Sequence, residues 1–192
     1  MTRKEGYCIS LQVNGPLALT YLRILAVPIL VVVLLSDFRG HQIAAFAIFI
    51  LATFTDTLDG FWARRKKQIT VLGQLLDPIA DKLLIVSALI CLVGTGVVPS
   101  WMAVIIIGRE IAVTGFRAMA AAKGINIPAS VLGKIKMILE TGTIGVLLLG
   151  EGVLGGWYVL SKVGLWLTVL AALVSAGEYY IRYGRAVLSG RS

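Results

Sequence analysis

Six stretches of this chain stay apolar for about the length that crosses a lipid bilayer: 17–35, 42–62, 70–93, 98–121, 131–149 and 155–181. A helix rises about 1.5 Å per residue, so roughly 20 apolar residues match a hydrocarbon layer about 30 Å thick. Inside that layer no water reaches unpaired backbone groups, and runs of this kind satisfy them as helices. The alternating ten-residue segments of a membrane β-barrel are absent. The expected fold is therefore an all-α integral membrane protein with six transmembrane helices.

Composition agrees. Hydrophobic residues make up 58% of the 192 residues and charged ones 15%, with a mean hydropathy of +0.89. Soluble domains lie nearer half apolar and a quarter charged, so the excess apolar surface has to face lipid. The length suits a single domain over 1–192. Residues 1–14 are too few for another and read as a membrane-surface segment. The polar start Met1-Thr2-Arg3-Lys4-Glu5 carries no expected cleavable signal.

The net charge is +8. The basic residues are interleaved with apolar runs, which argues against nucleic acid as a partner. They gather in the connections 63–68 and 122–130 (Arg64, Arg65, Lys66, Lys67, Lys123) and at both ends (Arg3, Lys4; Arg182, Arg185, Arg191). The opposite connections, 36–42, 94–99 and 150–156, contain Arg39 as their one Lys or Arg. Basic loops stay cytoplasmic. The expectation is a multi-pass inner-membrane protein with both termini in the cytoplasm. Cys8 precedes the first span and Cys91 lies within the third, so the two are expected as free thiols.

Spans two and three hold Asp56, Asp59, Asp77 and Asp81. A carboxylate at mid-bilayer costs at least about 2.5–3.5 kcal/mol, and such residues are functional by default. Four of them together require cations. Asp56 and Asp59 stand at i, i+3 and Asp77 and Asp81 at i, i+4, so each pair shares a helix face. The short connection 63–68 makes the two spans antiparallel neighbours, which brings the four carboxylates into one cytoplasmic-side cluster. All-oxygen ligation suits Mg²⁺ or Mn²⁺, and two such ions serve phosphoryl transfer. Gly60 and Ala63 leave room for a ligand. Arg64 offers a fork of donors to phosphate, and Gly73 permits close helix packing. A carboxylate-lined ion pathway would explain the aspartates but neither Arg64 nor the glycines.

The segment Asp56-x2-Asp59-Gly60-x2-Ala63-Arg64-x8-Gly73-x3-Asp77-x3-Asp81 resembles the signature of the CDP-alcohol phosphotransferase family in every position and spacing. The resemblance implies that family's fold and its two divalent metals, held by Asp56, Asp59, Asp77 and Asp81. Asp81 is implied to act also as general base. Gly60, Ala63, Arg64, Thr70 and Gly73 are implied to line the pocket of the CDP-lipid, and the active site to face the cytoplasm. Family members are often homodimers, and a homodimer is expected here.

The acceptor side is marked by Arg109, Glu110 and Arg117 in span four and by Lys134 and Lys136 at the start of span five. Arg109 and Arg117 differ by about 80° around a helix and Glu110 and Arg117 by about 20°, so they share a wall. Several cations beside a metal cluster point to an acceptor with its own phosphate. Arg109 also reads as an ion pair with Glu110 or Glu140. Lys134 and Lys136 point apart at i, i+2, and one of them reads equally well as a headgroup anchor.

Arg109-Glu110-x6-Arg117 with Gly133-Lys134-x-Lys136 is similar to the bacterial phosphatidylglycerophosphate synthase branch of that family. So is Asn14-x-Pro16-x2-Leu19-Thr20-x2-Arg23-x4-Pro28. Together these patterns cover residues 14–140. Met137 departs from that branch, which shows Thr there. The branch implies CDP-diacylglycerol as donor, with Asn14 and Thr20 in its site, and glycerol-3-phosphate as acceptor, held by Arg109, Arg117, Lys134 and Lys136. Sibling enzymes use inositol phosphate, serine or phosphatidylglycerol.

Other features stand apart. His41 falls in an outer connection, and the glycine-rich 150–156 reads as a turn. Trp62, Trp101, Trp157 and Trp166 lie mostly near span ends. Arg23 either approaches the site or snorkels to the surface. Span six carries no recognisable motif.

Overall fold

The computed structural model describes the backbone of residues 15–66, 71–125, 127 and 130–188. Side chains are described for 20–55, 79–80, 82–125, 127 and 130–184. Among these residues the protein is all helical: α1 (Gly15–Leu34), α2 (His41–Lys66), α3 (Val71–Gly94), α4 (Ser100–Ala122), α5 (Val131–Leu154), a 3-10 turn (Gly155–Tyr158) and α6 (Val159–Leu188). Each α-helix falls on one of the six apolar runs. Helices of 20 to 30 residues extend about 30–45 Å at 1.5 Å per residue.

The ends differ from the hydropathy reading in instructive ways. Arg64, Arg65 and Lys66 are expected in a connection, yet they form the last turn of α2. A helix does not stop where apolarity stops, and cations at its C-terminus are favoured by the exposed carbonyls. The expected turn at 150–156 contains the backbone break, at Gly150 (φ 68°, ψ 172°). One further helical turn follows before the 3-10 segment.

Helix α1 packs along both α2 and α3, and α5 along α6 and α2, while α4 rests on α6. Helices α2 and α3, expected as antiparallel neighbours, are in contact, though less extensively than either is with α1. The central core is apolar: Leu30, Phe49, Leu84, Leu89, Ile106, Ile144 and Leu148 are almost fully buried. A second cluster joins Val113, Ala120, Ile127 and Tyr179.

Two glycines are required by geometry. Gly124 has φ +72° and closes α4. The Ile125 N–H donates to Ala120 O at 2.9 Å and the Gly124 N–H to Ala121 O at 3.0 Å, the pairing that satisfies a helix end through one left-handed residue. Gly164 lets α6 approach α5: a Cβ there would stand 2.7 Å from Thr143 Oγ1. Small residues at such crossings are what lipid-embedded helices use to pack.

Large apolar side chains also lie on the outside. Leu22, Leu25, Ile29 and Val32 on α1, Ile111 on α4, Ile138 on α5 and Leu170 and Ile181 on α6 are all exposed. The stretch Val131–Gly184 is long and apolar enough to cross a membrane, with a mean hydropathy of 1.9, and 33% of its most apolar window is buried. Thr20–Leu34, His41–Thr55 and Lys82–Gly94 are shorter apolar helices. Exposed apolar area this extensive belongs to a surface that meets something other than water.

Cys91 is a buried free thiol, while Cys8 lies outside the described residues. His41 opens α2, with Nδ1 2.9 Å from Phe38 O. Arg23 is turned inward rather than to the surface: it is 2% exposed, and its Nε donates to Ala52 O on α2 at 3.3 Å. Trp101 and Trp166 pack against each other, with ring centroids 5.5 Å apart.

Candidate active site

The aspartate motif is carried by two helices. Asp56, Asp59, Gly60, Ala63 and Arg64 lie in α2, and Gly73, Asp77 and Asp81 in α3. In this helical register Asp56 and Asp59 are about 60° apart around the axis and Asp77 and Asp81 about 40°. Each pair therefore occupies one side of its helix. The side chains of all eight lie outside the described ones, and Asn14 and Thr70 lie outside the described residues altogether. Thr20 is buried on α1, three residues before Arg23. Arg23's hydrogen-bond acceptor, Ala52, sits one helical turn before Asp56. The donor set of the motif is carboxylate oxygen alone, which fits a hard divalent cation.

Next to this motif opens a cavity of about 290 Å³ between α3, α4, α5 and α6. Lys82, the residue after Asp81, lines it, as do Arg109, Glu110, Arg117, Lys134, Lys136 and Glu140. The structure thus brings together all four cations read from the sequence as the acceptor wall. Lys82 adds a fifth, and Glu110 and Glu140 are the carboxylates among the described lining residues.

Arg109 and Lys136 are tied to the carboxylates Glu110 and Glu140. Arg109 Nη1 donates to Glu110 Oε1 at 2.6 Å. Lys136 Nζ donates to the same oxygen at 2.6 Å and also to Glu140 Oε2. Lys136 is 2% exposed and Glu140 4%. Removing Lys136 would leave Glu140 a buried charge without its cation, whereas removing Glu140 would leave Lys136 paired with Glu110. Arg117 and Lys134 are exposed at the cavity rim and make no ion pair among the described residues. Lys134 and Lys136 do point apart, as i, i+2 positions must.

Four contributors were not legible as site residues. Lys82 Nζ donates to Thr114 Oγ1. Ser175 on α6 accepts from Arg109 Nε at 3.0 Å. Tyr179, one turn further along α6, accepts at its OH from the Ser130 N–H at 3.2 Å. Ser130 in turn caps α5, its Oγ accepting from the Gly133 N–H at 3.0 Å. Ser175 and Tyr179 stand at i, i+4 on a span that is otherwise largely apolar, and that spacing is the signal by which they could have been found.

The family model described as CDP-alcohol phosphatidyltransferase matches residues 13–175. A CDP-diacylglycerol–glycerol-3-phosphate 3-phosphatidyltransferase of Bacillus subtilis is 35% identical over 190 residues, 91% of this chain and 97% of that protein. A protein of the same name from Rickettsia felis is 31% identical over 170 residues, 87% of this chain and 93% of its own length. A probable phosphatidylglycerophosphate synthase of Mycobacterium tuberculosis is 36% identical over 167 residues, 85% of this chain and 78% of its own.

Proposed function

Since this chain belongs to the CDP-alcohol phosphatidyltransferase family, we propose that it transfers the phosphatidyl group of CDP-diacylglycerol to glycerol-3-phosphate, giving phosphatidylglycerophosphate and CMP. The observation that carries the choice of acceptor is the cavity that begins at Lys82, the residue after Asp81: among its described lining residues stand Arg109, Arg117, Lys134 and Lys136 as well as Lys82. An acceptor bringing its own phosphate is what these cations match. The names of the relatives point the same way.

Asp81 takes the proton of the attacking hydroxyl. The freed oxygen bonds to the β-phosphorus, on the lipid side of the CDP pyrophosphate, and the bond to CMP breaks. Arg117 and Lys134 at the rim, with Arg109 and Lys136 behind them, hold the acceptor phosphate. Asn14, Thr20, Gly60, Ala63, Arg64, Thr70 and Gly73 form the CDP-lipid site. Two divalent ions, Mg²⁺ or Mn²⁺, held by Asp56, Asp59, Asp77 and Asp81, would supply neutralisation of the pyrophosphate charge. Positioning and charge compensation account for most of the rate in such transfers.

The protein is read as one domain over 1–192, with residues 1–14 on the membrane surface. It spans the inner membrane six times as a homodimer, with both termini and the active site facing the cytoplasm. The apolar exterior of α1, α4, α5 and α6 supports the membrane setting, and the basic residues of 63–68 and 122–130 support the orientation.

The test is CMP release by purified protein in detergent, with CDP-diacylglycerol, Mg²⁺ and a panel of alcohols. Release with glycerol-3-phosphate alone is expected. Release only with inositol phosphate, serine or phosphatidylglycerol would keep the aspartate site and overturn the acceptor. No release with any alcohol, from folded protein, would overturn the enzyme reading of this chain.

A further inference from the structure

One buried polar atom in the cavity wall has no task in that reading. Glu140 is 4% exposed and lines the cavity wall. Its Oε2 accepts from Lys136, while its Oε1 has no hydrogen-bond partner among the described residues. Buried carboxylate oxygens are almost always hydrogen-bonded, and leaving one without a donor is costly. An ionised carboxylate accepts only, so what completes it must donate. A phosphate dianion has no proton to give. Arg117 and Lys134, which make no ion pair among the described residues, are at the rim. The cavity therefore has a cationic entrance suited to phosphate and a buried acceptor suited to a hydroxyl.

From this geometry we infer that Glu140 determines specificity. Its Oε1 accepts a hydrogen bond from a hydroxyl of the acceptor other than the one that attacks, so the site selects polyol phosphates. In glycerol-3-phosphate that group is the C2 hydroxyl, between the phosphate-bearing carbon and the attacking one. Lys136 makes this tolerable beside a phosphate, because it compensates the charge of Glu140 from the other side. The inference rests on the acceptor reading proposed above and goes beyond it, since it assigns a polar contact to the acceptor's carbon chain. A site built around a substrate hydroxyl discriminates strongly against an analogue without it, because its own polar group is then left unpaired.

The experiment compares two acceptors on the full-length protein in detergent with CDP-diacylglycerol and Mg²⁺. One is glycerol-3-phosphate. The other is 3-hydroxypropyl phosphate, which keeps the phosphate and the attacking hydroxyl and lacks only the C2 hydroxyl. The native enzyme is expected to favour glycerol-3-phosphate by roughly 10- to 100-fold in kcat/KM for CMP release. In Glu140→Met, where Lys136 retains Glu110, that ratio should fall to within about threefold. Glu140→Leu, which likewise has no acceptor, serves if the Met variant does not fold, and the same fall is expected. Equal use of both acceptors by the native enzyme would overturn the inference without any variant. So would an undiminished ratio in the folded variants, since a purely structural Glu140 would lower both acceptors alike. CMP release with neither acceptor would remove the acceptor reading itself and this inference with it, a result distinct from equal use of both.

Discussion

The hydroxyl of Tyr179 on α6 receives the backbone N–H of Ser130 at the head of α5, at 3.2 Å and across 49 residues of sequence. Ser130 is the residue whose own side chain caps Gly133, and Lys134 and Lys136 follow directly. The sixth helix thereby fixes the start of the fifth.

Removing that hydroxyl should loosen the site without touching its charges. Tyr179→Phe is expected to raise the KM for glycerol-3-phosphate severalfold, with the KM for CDP-diacylglycerol unchanged. The stability cost should be about 1 kcal/mol, the usual value of one hydrogen bond. Initial rates of CMP release against each substrate, with a thermal melt in detergent, check both halves. A parallel rise of both KM values would assign Tyr179 to the general scaffold.

Arg117 stands at the rim with no carboxylate partner among the described residues, so truncating it strands no buried charge. Arg117→Ala is expected to raise the acceptor KM by about 10-fold or more, the loss of a charge-assisted contact, and to leave the donor KM within about twofold. Equal effects on both substrates would count against the acceptor wall.

Asp81→Asn should keep the helix and lose the base. Turnover is expected to drop by at least about 100-fold, the lower range for general base catalysis, in protein that elutes and melts like the native one. Near-native CMP release would reassign the base.

Chelation should act at the same place by a different route. Treatment with EDTA is expected to abolish CMP release, and added Mg²⁺ or Mn²⁺ to restore it, because four carboxylates without cations repel one another. Full activity after exhaustive chelation would contradict the ligand set read from the aspartate motif.

Packing offers a prediction independent of chemistry. At Gly164 a Cβ would come 2.7 Å from Thr143 Oγ1, which itself lies 3.2 Å from Thr168 Oγ1. Gly164→Val should therefore destabilise the protein by about 1–3 kcal/mol through forced separation of α5 and α6. The melting temperature in detergent reads this directly, and an unchanged melt would show that the crossing is looser than drawn.

The helices were legible because apolar runs of bilayer length admit few alternatives, and the aspartate motif because carboxylates in such runs demand a reason. Arg109, Arg117, Lys134 and Lys136 were legible for the same cause, as charges where charge is costly. What sequence left open was how those charges are divided. Lys136 is buried between Glu110 and Glu140 while Lys134 faces out, and only the rotation of α5 against α4 decides which is which. Ser175 and Tyr179 escaped because a hydroxyl carries no net charge, and their i, i+4 spacing on an apolar helix is a weaker signal than a charge there. Arg23 was undecided because its length allows either end of the span, and contact with Ala52 is a matter of how α1 leans on α2.

The apolar faces turned outward on α1, α4, α5 and α6 have a consequence for how rates should be measured. A protein coated in Leu, Ile and Val travels within the sheet of lipid, and there it meets its donor in two dimensions. The donor's effective concentration is then its mole fraction in the bilayer or micelle, not its amount per volume of buffer. The water-soluble acceptor is met in three dimensions. Diluting the donor with inert detergent at constant bulk concentration should slow the reaction, while diluting the acceptor in the same way has no counterpart.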